Sequence, residues 1–168
     1  MTTHSGVAFP QWAQGGVKYP EGQGRFGVVH FHINVETVLA SLGAAINPST
    51  PDKLDIWNIP IGCQITGALL RVVTAATTTA AGGSATMGVG DEDNESGYIA
   101  AATDLKTAGY TGTVVGDTFG AATKVYSAVK KLRLTFGGTA TALLTGIFDL
   151  FLFCHFADVP QAEPTAWT

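Results

Sequence analysis

A mainly β domain, an antiparallel β-sandwich or a jelly-roll-like barrel with one short helix and an extended arm at each end, is predicted by three features of these residues. Eight short runs between residues 25 and 157 carry period-two alternation or β-branched and aromatic enrichment. Clusters of Gly, Asn, Pro and Asp punctuate them, and no helices of crossover length alternate with them, as a parallel sheet requires. A chain of 168 residues fits one domain and can bury about two thirds of its unfolded surface, so no disulfide framework is needed.

Residues 1–24 place Pro10 and Pro20 among glycines, with Phe9, Trp12 and Tyr19 as sparse aromatics, which predicts an extended N-terminal arm. The body, residues 25–157, opens with RFGVVHFHINVE, a strand over 25–36. Val35, Val38, Leu39 and Leu42 also fit a short helix capped by Asn34. Strands follow at 53–59, 63–75 and 84–91, and the low-complexity run Thr74–Thr86 reads as a flexible hairpin loop. In MGVGDEDNESGYIAAATDLKTAG, Met87–Gly109, the residues Asp91, Asp93, Asn94 and Ser96 build a side-chain-capped turn. Tyr98, Ile99, Ala102 and Leu105 then share a helical face, with Ser96 as its cap and Gly109 as its stop. Strands at 112–118, 123–128, 131–137 and 146–157 complete the body. Leu143–Phe156 is the most apolar stretch; with Asp149 inside it, it is too short and too polar to span a bilayer and reads as a strand buried on both faces. Residues 158–168, with Pro160, Pro164 and Trp167, form an extended tail.

Charged residues make up 13% of the chain, against about 25% in an ordinary soluble domain, while 46% is hydrophobic. Thr, Ser, Gly, Ala and Asn must therefore cover much of the surface. That suits faces occupied by neighbours in a homo-oligomer or lattice, because burying an unpaired charge at an interface is costly. A neutral soluble monomer is the alternative. A net charge of -4 and a pI near 5.4 argue against a nucleic-acid partner, whose phosphates Lys and Arg would have to neutralise. Lys130, Lys131 and Arg133 lie close together, but in KKLRLTF they alternate with Leu132, Leu134 and Phe136, as the solvent face of a strand does. Met1–Gly16 is polar and Gly-rich with no apolar centre, so no secretory signal is expected. Cys63 and Cys154 lack a CxxC or zinc spacing and read as reduced core residues of a chain made in a cytoplasm.

Two groups are candidate metal ligands. His30 and His32 share a strand face, and Glu36 continues it, so two imidazoles and a carboxylate could form a facial triad. The order Gly24, His30, His32, Glu36, Gly43 resembles the first cupin motif, which implies a cupin-like metal-binding enzyme; the second motif's histidine is replaced here by Ile65. In the turn, Asp91, Asp93 and Glu95 alternate as in a calcium loop, but Gly97 falls one position late and Asp104 stands in for the terminal glutamate. The alternatives, a polar strand face and an Asx turn, need no metal, and no cofactor is expected. No Gly-x-Ser-x-Gly elbow or phosphate-cradling loop occurs, and Cys154 and His155 point to opposite strand faces, so catalysis is not expected. Phe9, Trp12, Tyr19 and Trp167, in the arms, are the expected interaction anchors.

The run DIWNIPIGCQITGALLRVVT, Asp55–Thr74, taken with Met87–Gly109, resembles small virion proteins of tailed bacteriophages, of the capsid decoration or cement type. The resemblance rests on Ile59, Pro60 and Gly62 turning into a long strand, on Gly90 with Asp91, on Gly97–Ala101, and on Asp104 with Leu105, and it spans roughly 53–157. It implies a non-enzymatic protein of the virion, on the outer capsid surface. Its partners would be the major capsid protein and copies of itself in a homotrimer, with no nucleic acid and no membrane. A receptor- or glycan-binding head or tail fibre module is the remaining non-enzymatic class.

Overall fold

The computed structural model describes residues 3–4, 12–13, 25–79, 82–113 and 125–156. In chain order the elements are β1 (Thr3–His4), β2 (Trp12–Ala13), β3 (Arg25–Asn34), α1 (Val35–Leu42), β4 (Lys53–Ile59), β5 (Cys63–Thr78), β6 (Ala85–Asp91), β7 (Ile99–Asp104), β8 (Gly109–Thr113), β9 (Lys130–Gly138) and β10 (Leu143–Phe156). Eight of these make two antiparallel sheets, with strand orders β4-β9-β6-β7 and β3-β10-β5-β8. From β3 onward the chain changes sheet at every connection except the β6–β7 hairpin. That is the strand order of an eight-stranded jelly roll, so the predicted sandwich forms in its jelly-roll version. β1 lies parallel to β4 and β2 antiparallel to β3, so the two described pieces of residues 1–24 flank an edge of each sheet.

The core follows from strand alternation. Met87 and Val89 of β6 and Leu132, Leu134 and Phe136 of β9 face Ile65 and Leu70 of β5 and Phe148, Leu150 and Leu152 of β10, all buried. Helix α1 forms where the sequence left strand and helix open, because both ends are capped. Asn34 Oδ1 accepts from the Glu36 and Thr37 N–H groups at 3.0 and 3.3 Å, and Gly43, at φ 62°, donates its N–H to the Leu39 carbonyl. Val35 and Val38 pack into the core. The Ile59-Pro60-Ile61-Gly62 segment carries the chain between sheets in a tight turn. Cys63 N–H bonds to the Pro60 carbonyl at 3.2 Å, and Gly62 sits at φ 78°, the position of a type II turn that favours glycine.

Four expectations are corrected. The helix after Ser96 is instead β7, hairpin-paired with β6 through Ile99 to Val89 and Thr103 to Met87. Flanking bonds from Tyr98 N–H to the Val89 carbonyl and from Leu105 N–H to the Ala85 carbonyl close this ladder, and burial of Tyr98, Ile99 and Leu105 overrides the helix preference of three alanines. Thr74–Thr86 is not a hairpin loop, since β5 runs on to Thr78 against β10, and β5 and β6 belong to different sheets. Leu143–Phe156 is buried on one face only. Phe148, Leu150, Leu152 and Cys154 point inward, whereas Phe153 is exposed and Phe151 half-buried on the other face. Of the strands expected at 112–118 and 123–128, the first begins earlier, at Gly109, and the described part of the second makes a single bridge from Val125 to Gln64.

Candidate interaction surfaces

The acidic turn is built around a buried carboxylate. Asp91 Oδ1 accepts from the Asp93 and Asn94 N–H groups, each at 2.9 Å, and Oδ2 accepts from the Tyr126 hydroxyl at 2.5 Å. The Tyr98 and Tyr126 hydroxyls are themselves hydrogen-bonded. Burial pushes both phenols well above their ordinary range, and the hydrogen bond to Asp91 pushes Tyr126 further, so each remains a neutral donor. Cys63 and Cys154, both fully buried, are brought together by the pairing of β5 with β10. The hydrogen bond with Cys63, together with burial, pushes the Cys154 thiol up and keeps it protonated. Replacing Tyr126 by phenylalanine strips a donor from a buried carboxylate and is expected to cost about 1–3 kcal/mol. The melting temperature should fall by roughly 3–10 °C; an unchanged midpoint would mean that Asp91 does not depend on this phenol.

The three alternating acids of the turn diverge. Asp91 points inward, Asp93 pairs with Lys130 at 3.0 Å, and Glu95 meets both Lys53 and Arg133 Nη1, the latter at 3.2 Å. Arg133 forms a two-pronged pair with Asp55, Nε to Oδ1 at 2.7 Å and Nη2 to Oδ2 at 3.1 Å, and Lys131 approaches the same carboxylate at 3.7 Å. The Asp55 hydrogen bond holds the guanidinium above its usual range against the opposing effect of burial. Lys131 and Arg133 thus share the outward strand face expected of them, and carboxylates meet them there. The outer face of the β4-β9-β6-β7 sheet is a cross-linked ionic surface.

The outer face of the other sheet differs. His30 and His32 do share a face of β3, but Glu36 belongs to the first turn of α1. The carboxylate they meet is Asp149, in register opposite His32 on β10; its Oδ1 lies 3.1 Å from His30 Nε2 and 2.8 Å from His32 Nδ1. The His30 ring stacks on Phe151 with centroids 4.4 Å apart. On the other side of Asp149 lies Arg71 of β5, whose guanidinium sits 5.3 Å above the Tyr110 ring. Val28 and Phe153, neighbours across the β3–β10 ladder, are both exposed. Among the described residues, no group of three or more His, Cys, Asp or Glu side chains is placed to hold a metal ion. Asp149 is a partner that the local pattern around the two histidines does not reveal. The signal was a lone charge inside an apolar run, at a position whose parity points outward.

Burial works against the charged form of Asp149, but the His32 and His30 hydrogen bonds outweigh it and hold the carboxyl below its usual range. A depressed carboxyl pKa means stability present above the unfolded value, about 3.9, and lost as pH falls through the lower folded value. Thermal melts of the parent and of Asp149→Asn are therefore expected to differ at pH 5, with the gap narrowing as pH falls below about 4. A gap that widens with acid in that window would contradict the assignment.

Of the expected anchors, Trp12 lies in β2 with its backbone opposite His30, while Phe9, Tyr19 and Trp167 fall outside the described residues. What the described surfaces offer is shape and polarity: one ionic face, one face where a His–Asp–His cluster and Arg71 sit beside Val28, Phe151 and Phe153, and a buried apolar core between them.

No protein-family model matches this chain, and no curated protein sequence does. Solved structures do match in fold. A chain of the cyanophage Pam1 capsid asymmetric unit superposes with a TM-score of 0.59 at 17% identity, over 85% of this chain and 92% of that one. A chain of the capsid of Ralstonia phage GP4 superposes with a TM-score of 0.56 at 16% identity, over 83% of this chain and 90% of that one. The likeness at these identities is one of fold.

Proposed function

We propose that this chain is a non-enzymatic structural protein of a phage virion that binds the outer capsid surface as a decoration or cement protein. The observation that supports this reading is the similarity in fold, over most of both chains, to two chains from phage capsids. The Ile59-Pro60-x-Gly62 turn and the Gly90-Asp91 turn, on which the resemblance to small virion proteins rests, both shape this fold. The proposed partners are the major capsid protein and further copies of this chain, arranged as a homotrimer. The proposed anchors of the N-terminal arm are Phe9, Trp12 and Tyr19.

The mechanism is geometric. A jelly roll whose outer charges are largely paired with one another presents its faces to neighbours, and the arm adds contacts whose effective concentration rises once the body has docked. The test is to mix purified protein with capsids lacking it, and to measure occupancy by cryo-electron microscopy and shell rupture on heating. Regular, saturable density on the outer surface with a raised rupture temperature is expected. Absence of binding to intact shells, with the protein found instead at a tail or on cell-surface glycans, would overturn the reading.

A further inference from the structure

One end of the sandwich gathers exposed apolar side chains on a rigid base. It is the end where β4 and β6 finish and β5 and β9 begin. Ile61 stands at the tip of the type II turn, Val125 bridges to Gln64, and Val129 leads into β9; they are 52%, 52% and 56% exposed. Two hydrogen bonds join the turn to this segment: Gly62 N–H to the Tyr126 carbonyl at 2.7 Å, and Tyr126 N–H to the Cys63 carbonyl at 2.9 Å. Buried Tyr126 thus pins two loops together, and the apolar tips project from one fixed surface rather than from independent loops. A cluster of this kind is expected to be covered.

The course of the chain identifies the cover. β10 ends at Phe156, which pairs with Cys63, the residue after the turn, so residues 157–168 leave the fold beside Ile61. Twelve residues in extended form reach about 40 Å. Val159 and Trp167 supply apolar surface, while Pro160 and Pro164 favour packing through side chains over adding a strand. The N-terminal segment is placed differently. β1 lies along the first residues of β4, at the opposite end of the sandwich, and β2 lies along the outer edge of β3, which starts at this end opposite Phe156 but is separated from β5 and its turn by β10.

We propose that residues 157–168 fold back over this end of their own chain and that Trp167 seats on the patch formed by Ile61, Val125 and Val129. The tail is then a strap on its own subunit rather than an anchor in a neighbour, and this holds whether or not the chain belongs to a virion.

The test places the photo-crosslinking residue p-benzoylphenylalanine at exposed Val129 in the full chain. Isotopically light and heavy protein are unfolded and refolded together, irradiated and analysed by mass spectrometry. Crosslinks to residues 157–168 should join light to light and heavy to heavy alone. Mixed pairs would assign the patch to a second copy. Crosslinks to residues 14–24 or 114–124, or none to the tail, would likewise overturn the proposal. As an independent measure, a chain ending at Phe156 should bind an environment-sensitive hydrophobic dye with severalfold higher fluorescence and melt within a few degrees of the parent. Unchanged dye fluorescence would count against the strap.

Discussion

Gly90→Ala is expected to abolish the native fold or to leave a protein melting at least 10 °C below the parent. A Cβ at Gly90 would stand 1.9 Å from the Asn94 carbonyl oxygen and 2.5 Å from the Glu95 carbonyl carbon. These are backbone atoms of the acidic turn, so no side-chain rotation relieves the clash. The turn has little freedom to retreat, because Asp91 N–H bonds to the same Asn94 carbonyl at 3.0 Å while the Asp91 carboxylate holds Asp93, Asn94 and Tyr126. Opening it would withdraw hydrogen bonds from a carboxylate that is fully buried. Loss of such a network together with the steric clash belongs in the range above about 4 kcal/mol. Differential scanning calorimetry measures it, with Gly82→Ala as the control, since a Cβ there meets nothing within 4 Å. A Gly90→Ala protein melting within 3 °C of the parent would show that the turn can yield.

Deleting Met1–Gly24 is expected to reduce attachment to shells at least tenfold while leaving the body folded. Ordering an extended arm costs roughly 1–2 kcal/mol per residue in backbone entropy. The described pairing of this segment amounts to Thr3 and His4 against β4 and Trp12 and Ala13 against β3, which offsets only part of that cost. Contacts made on the shell are proposed to supply the rest. The described core is built from residues between Phe31 and Cys154, so its packing survives the deletion. Binding to shells by sedimentation, beside melting of the free protein, separates the two effects. Equal affinity for arm-deleted and full-length protein would refute the arm's role. A lost body transition would show instead that the segment is part of the fold.

The legible parts of the fold were those where alternation and turn chemistry agree. Lys53–Ile59 and Ala85–Asp91 are bounded by turn residues, and Leu54 and Ile56 in the first and Ala85, Met87 and Val89 in the second stand inward at every second place, so their limits were readable to within a residue. Asn34 and Gly43 likewise announce both ends of α1. The segment after Ser96 misled because alanine is small enough to sit on either periodicity. Ile99, Thr103 and Leu105 keep a period-two spacing that the helical face of Tyr98, Ile99, Ala102 and Leu105 obscured, and only pairing with β6 decides between them. His30 and His32 were readable as one face, but their partner lies 117 to 119 positions away, and no local pattern reaches that far. Tyr126 was missed for the same reason: a lone tyrosine among small residues gives no sign that it seats on Asp91.

The place of β10 has a consequence for how the protein is made. It is the last of the described strands and a central one of its sheet, hydrogen-bonded to β3 on one side and β5 on the other. Until it leaves the ribosome, β3 and β5 have no shared partner, and the inner faces of both sheets lack the layer formed by Phe148, Leu150 and Leu152. Loop closure across more than a hundred residues is slow, and unpaired apolar edges are prone to aggregate during that delay. Native folding therefore waits for β10: nascent chains stalled before Leu143 should remain protease-sensitive throughout, and emergence of β10 from the ribosome should confer resistance in one step.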